Sequence, residues 1–314
     1  MKNYDLDYIA NDFILFLVLF VYLIGTLYLS GGNIFESDAS YSAYRDNLKG
    51  ASGLNEYLIL LSCIFVVFKK NNVTRCLISL AISLYIFKSV IYGFRVQALM
   101  QFILLYFIIV NKDIKSRYLF IVLIFGFLLM LVYGFTKEGM QVENIGLELL
   151  VDTRYGYAQS HQQGVLSSST AILNYQGNTP NIFINIPSVL TATVVPRGLV
   201  GDIVPWAYPS SFVQNYQYTP GGGLFTTQVY FLLGFPGLFI ISFFMLFIFS
   251  VFLNFERCKP DPISALLFTV AVVFFPRWVS YDFFNYYARS AFILVCLYLL
   301  IRFFLKVSGK FNGR

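Results

Sequence analysis

At 314 residues the chain has room for about two soluble domains, but 58% hydrophobic and only 12% charged residues, with a mean hydropathy of +0.69, do not describe a soluble protein. Ordinary usage is about 25% charged, so long segments cannot face water, and disorder, collagen-like repeats and a disulfide scaffold are excluded. The formal net charge of +6 does not point to nucleic acid, because the basic residues stand at the ends of apolar runs as membrane insertion requires. The composition is that of an integral membrane protein.

A transmembrane helix needs roughly 20 mostly apolar residues. In chain order, eight stretches qualify: 13 to 30, 54 to 68, 76 to 93, 96 to 110, 118 to 135, 225 to 253, 263 to 280 and 287 to 305. The expected fold class is therefore an all-α polytopic membrane protein, a single integral membrane domain over residues 1–314. The first stretch lacks a basic leader, and Leu29-Ser30-Gly31-Gly32 offers no A-x-A-like site, so it is not read as a cleaved signal and is a signal anchor at best. Cys63, Cys76, Cys258 and Cys296 lie in or beside apolar runs without CxxC spacing, so neither a zinc site nor a disulfide framework is expected.

Lys69, Lys70, Arg75, Lys112, Lys115, Arg117, Arg257, Lys259, Lys306, Lys310 and Arg314 fall on one side of these spans, which makes that side the cytoplasm and places both termini there. Residues 31 to 53, the turn near Arg95, residues 136 to 224 and residues 277 to 286 then face outward. The segment 136–224 is the longest of these outward segments. A connection of this length must fold or bind something. An amphipathic helix fits Glu143 to Leu150 and a second fits Ala158 to Leu173, whereas Pro180, Pro187, Pro196, Pro205, Pro209 and Pro220 with Gly221-Gly222-Gly223 read as punctuation and not helix.

The outward arginines Arg95, Arg154, Arg197, Arg277 and Arg289 have no insertion rationale, and Lys88 lies inside the third span. Arginine binds phosphate bidentately and stays charged in a partly dry site, so a convergence of these residues would clamp a pyrophosphate; the competing reading is snorkelling to headgroups. Lys88 and Arg95 are seven residues apart, on nearly one helical face, and the Tyr92-Gly93-Phe94-Arg95 turn holds Arg95 at the membrane lip. Phe275-Pro276-Arg277-Trp278, Tyr281-Asp282 and Arg289 form a second cluster, in which Pro276 ends or kinks the seventh helix; the competing reading is an ion pair within a hairpin. Gly222, in the loop entering the sixth span, stands where free helical N–H groups attract anions, although glycines also simply relax a chain at a membrane surface. His161, the single histidine, is a candidate general base near neutral pH. The carboxylates Asp46, Glu56, Glu138, Glu143, Glu148, Asp152, Asp202 and Asp282 compete for that role.

Val195-Pro196-Arg197-Gly198, the proline- and tyrosine-rich stretch to Gly221-Gly222-Gly223, the run Gln228-Val229-Tyr230-Phe231-Leu232-Leu233-Gly234-Phe235-Pro236-Gly237-Leu238 and the Gly93-Phe94-Arg95 turn together resemble O-antigen polymerases, the Wzy-type oligosaccharide repeat unit polymerases, from about residue 54 onward. Members of that family usually have more than eight spans, so the resemblance raises the expected count to as many as ten. It implies a multi-pass glycosyltransferase of the bacterial inner membrane, with its active site facing the periplasm and with no metal or cofactor. Its substrates would be oligosaccharides on undecaprenyl pyrophosphate, and its partners membrane lipids, a chain-length regulator (polysaccharide co-polymerase) and a flippase. Arg95, Arg197, Arg277, Arg289, Lys88 and Gly222 would bind the departing pyrophosphate, whose charge grows in the transition state, while Asp282, His161 or Asp202 would deprotonate the attacking sugar hydroxyl. Tyr155, Tyr157, Tyr175, Trp206, Tyr208, Tyr216 and Tyr218 would stack on sugar rings or pack against the protein. The alternatives are an O-antigen ligase, which would rest on His161 as essential base, and a transporter or flippase of lipid-linked sugars, which would need several deep charges where only Lys88 is deep.

Overall fold

The computed structural model describes residues 9–29, 54–91, 94–109, 124, 161–175, 182–195, 203–216, 222–257, 261–281 and 284–307. Among them the backbone is helical, and the one extended pairing is an isolated bridge between Ile9 and Phe68. The helices are α1 (Asp12–Leu29), α2 (Leu54–Cys63), α3 (Asn72–Ile91), α4 (Arg95–Ile109), α5 (His161–Leu173), α6 (Ile182–Val194), α7 (Pro209–Val213), α8 (Phe225–Arg257), α9 (Pro262–Val273), α10 (Phe275–Ser280) and α11 (Arg289–Val307). The described parts of the apolar stretches are thus helical apart from Phe68 and the turn at Phe274, and 118 to 135 lies outside the described residues apart from helical Ile124. Among the described residues, three helices are long and apolar enough to cross a membrane: Asn72–Val90, Phe225–Phe247 and Tyr286–Val307.

Polar side chains set the helix starts. The Asn11 carboxamide accepts the Ile14 N–H at 3.1 Å to open α1. At the head of α3, Asn71 and Thr74 cap each other, Asn71 Oδ1 accepting the Thr74 N–H at 2.7 Å and Thr74 Oγ1 accepting the Asn71 N–H at 3.0 Å. Asp261 opens α9 ahead of Pro262, a residue whose missing N–H costs nothing at the first helical position. Its carboxylate accepts the N–H groups of Ile263 and Ser264, each at 3.2 Å, and the Ser264 hydroxyl. Partial burial pushes the Asp261 carboxyl upward, but these hydrogen bonds outweigh it and hold the group below the ordinary carboxylate range.

The chain clusters into two compact units. The first contains α1 to α4, a 3-10 turn at Ile64–Val67, and α9. Its core joins Tyr22 to Phe65 and Tyr85, at ring separations of 6.1 and 5.8 Å, and Phe107 to Phe268 at 5.9 Å. Small and polar residues such as Ser62, Ser89, Gln97 and Gln101 are buried, while Phe13 (74% exposed), Phe16, Phe20 and Ile24 line the outer face of α1. This inversion of the soluble pattern is what hydrocarbon surroundings select. Cys63, Cys76 and Cys296 are free thiols.

The second unit holds α5, α6, α7, α10 and the first part of α8, with a 3-10 turn at Pro205–Ala207 and a π-helical turn at Phe284–Ala288. Here the backbone departs from the sequence expectation in two places, while α5 ends at Leu173 as expected and residues 158–160 lie outside the described residues. α6 is a helix where the prolines read as punctuation: Pro187 lies inside it, removing one N–H without ending the apolar run on either side. α8 is not straight, because Gly234 takes φ 63° and ψ −155°. Pro236 has no N–H for the Leu232 carbonyl four residues back, and that carbonyl instead accepts the Asn185 side-chain N–H of α6 at 2.8 Å. A break in an apolar helix persists when a neighbour satisfies the freed backbone group.

Candidate functional site

The broken end of the seventh apolar stretch builds the site. The helix is interrupted at Phe274, two residues before Pro276, as the proline argument expects, and restarts as the short α10. Trp278 is buried among Phe225, Phe275 and Tyr287, at ring separations of 5.4, 5.3 and 6.3 Å, which fixes the rotation of α10 about its axis. Arg277, next to it and half-buried, lies 4.8 Å from the Tyr281 ring centroid and 5.6 Å from that of Tyr286. Ring faces attract a guanidinium through their quadrupole, by about 0.5–2 kcal/mol each, without neutralising it.

The glycine loop meets α10 at the same point. The Gly223 N–H donates to the Ser280 carbonyl at 3.0 Å, and Gln228, in the first turn of α8, donates its amide to the carbonyls of Gly223 (3.0 Å) and Tyr281. On the other side the Leu224 N–H donates to the Ser169 hydroxyl of α5 at 2.8 Å. Gly222 adopts φ +80°, and a Cβ there would stand 2.6 Å from the Ser280 carbonyl oxygen and 3.3 Å from the Tyr281 ring. Glycine is therefore required on both conformational and steric grounds. The N–H groups of Gly223 and Leu224 are engaged within the protein.

Arg289 is used differently. Its guanidinium donates to the carbonyls of Ala192, Thr193 (3.3 Å) and Val195 (2.8 Å), with the Tyr208 hydroxyl at 3.4 Å. These are the carbonyls left without helical partners at the end of α6, and a planar five-donor group matches several at once. The π-helical turn immediately before Arg289 sets where that fork points.

Lys88 belongs to the first unit and is wholly buried. Its ammonium donates to Asn55 Oδ1 at 3.2 Å, a group that also accepts the Tyr85 hydroxyl at 3.1 Å, and it lies 5.5 and 5.6 Å from the Tyr85 and Phe94 ring centroids. In this conformation it is shut away from any ligand.

Of the residues expected to act, Gly222 and Arg277 are thus brought together at Tyr281, while Arg289 holds a helix end. Arg95 and His161 begin α4 and α5, but their side chains lie outside the described residues, as do Arg154, Arg197, Asp202 and Asp282 altogether. No family model, curated protein or solved structure matches the chain. Sequence reasoning missed Gln228, Asn185 and Ser169 as organisers of the site. A glutamine in the first turn of an apolar span was the available signal, because such a group is costly there unless it is bonded.

Proposed function

We propose that the protein polymerises oligosaccharide repeat units carried on undecaprenyl pyrophosphate, working where α8 and α11 enter the membrane from the periplasmic side of a bacterial inner membrane. The observation that carries this reading is Arg277 stacked on Tyr281 and Tyr286 beside the glycine loop. A cation on a fixed aromatic platform suits an anionic leaving group that gains charge in the transition state, and aromatic faces suit sugar rings. Eight to ten spans and an outward segment 136–224 belong to this proposal, as does a base drawn from Asp282, His161 or Asp202. Arg95 and Arg197 would complete the pyrophosphate contacts.

Deletion in the native host followed by electrophoresis of surface polysaccharide tests the assignment. Loss of a polymerase leaves single-repeat glycan on the core, loss of a ligase leaves none on the core, and loss of a flippase stops outward delivery. In the complemented strain, Arg277→Ala at equal membrane abundance should shorten the ladder severely. A lost charge-assisted hydrogen bond of about 1.5–3 kcal/mol corresponds to roughly tenfold to over a hundredfold in rate. Full-length polymer from Arg277→Ala would dismiss Arg277 as the clamp.

A further inference from the structure

We propose that α6 lies within the membrane as a short re-entrant helix, presenting Phe183, Ile184, Ile186, Leu190 and Val194 to lipid acyl chains. The inference does not depend on the glycan chemistry. It rests on three features of the second unit.

The first is the partition of side chains. Phe183 (79% exposed), Ile184, Ile186, Leu190 (62% exposed) and Val194 face outward, while Asn185, Ser188, Val189 and Ala192 are buried. A helix washed by water would show the reverse, and α1 shows the same inversion. The second is that α6 asks nothing of water. It carries no charged residue, and its three hydroxyls bond back to carbonyls of its own turns: Ser188 to Ile184 at 2.7 Å, Thr191 to Pro187 at 2.8 Å and Thr193 to Val189 at 2.8 Å.

The third feature is depth. Asn185 reaches the Leu232 carbonyl seven residues inside the candidate span Phe225–Phe247, about 10 Å from its start at 1.5 Å per residue. At its other end α6 is capped by Arg289, in the first turn of α11. The helix therefore descends from the end of one candidate span to the broken middle of another. Its 13 residues make about 20 Å, short of the roughly 30 Å of hydrocarbon, so it enters the membrane without crossing it. That the carbonyl freed by Pro236 is satisfied by a carboxamide is what a site without water demands.

Collision accessibility of a spin label decides the matter in the full-length protein reconstituted in phosphatidylcholine vesicles, with native cysteines replaced. Labels are placed singly by Leu190→Cys, by Phe239→Cys on the exposed face of α8, and by Gln214→Cys in the exposed turn after α7. Expected is an oxygen-to-nickel-chelate accessibility ratio at position 190 close to that at 239 and several-fold above that at 214. A ratio at 190 matching that at 214 would overturn the proposal by showing water on this face. Exclusion of both reagents at 190 would also overturn it, by showing that protein covers the face. Neither result would bear on the polysaccharide ladder, so the two readings fail separately.

Discussion

In the first unit a lysine is buried on an uninterrupted helix, its ammonium bonded to the Asn55 carboxamide and lying near the Tyr85 and Phe94 rings. In the second, an arginine gathers three backbone carbonyls at the end of a short helix, beside a π-helical turn and a span kinked at Gly234. The difference follows from what the backbone requires. Where helices run unbroken, their N–H and C=O groups satisfy one another and no side chain has to replace them. Where they break, side chains replace the lost bonds: Arg289 at the end of α6, Asn185 at the carbonyl freed by Pro236, and Gln228 at the glycine loop. Irregular backbone at membrane depth survives only under that condition, and strained or broken segments cluster at working sites. The proposed chemistry is accordingly placed in the second unit.

This contrast can be broken most severely at Arg289. Arg289→Ala strands carbonyls that now share one guanidinium, and at roughly 1.5–3 kcal/mol for each hydrogen bond to a charged group the purified protein should lose about 3 kcal/mol or more, read from thermal unfolding in detergent. Arg289→Lys keeps the charge but not the fork and should recover less than half of the loss. A neutral Arg289→Ala would erase the distinction between the units.

The kink gives a smaller and cleaner effect. A Cβ at Gly234 would meet nothing closer than Pro236 Cδ at 3.8 Å, so Gly234→Ala tests conformation without a clash. Backbone of this kind costs a residue with a side chain about 1–3 kcal/mol, and that loss of stability is the expected result. No loss would mean that the span straightens freely.

On the regular side, Asp261→Ala should cost about 0.5–2 kcal/mol as the loss of a helix N-cap. Because the folded carboxyl lies below its unfolded value of about 3.9, the stability it adds is fully present above pH 4 or so and is lost as the pH falls through the lowered folded value. The gap in stability between the native protein and Asp261→Ala should therefore hold through neutral pH and close in acid, as urea titrations at several pH values would show.

Lys88→Met should have the smallest effect, within about 1 kcal/mol, since an apolar side chain of similar length avoids the cost of keeping an ammonium out of water, and Asn55 keeps its hydrogen bond from Tyr85. A much larger loss in thermal unfolding would show that the ammonium, and not the aliphatic stem, holds the first unit together.

Hydropathy is a property of contiguous residues, so the apolar runs that become α1 to α4, α8, α9 and α11 could be read directly, and the interruption before Pro276 followed from one missing N–H and one ring. α6 escaped that reading because its 13 residues are too few to register as a span and a proline stands among them; the proposal for its surroundings rests on its inverted faces. The site followed the same division. Arginine has the same donors whether it meets a phosphate or a carbonyl, so the chain alone marked Arg277 and Arg289 as equals, and their neighbours separated them. Arg289 finds its carbonyls 94 to 97 residues away in sequence, while Arg277 finds two tyrosine rings within nine residues. Local chemistry decides which groups are able to bind and where helices start or break. Only the folded chain decides which carbonyl, ring or lipid each of them reaches, because those partners are set by packing between segments far apart in sequence.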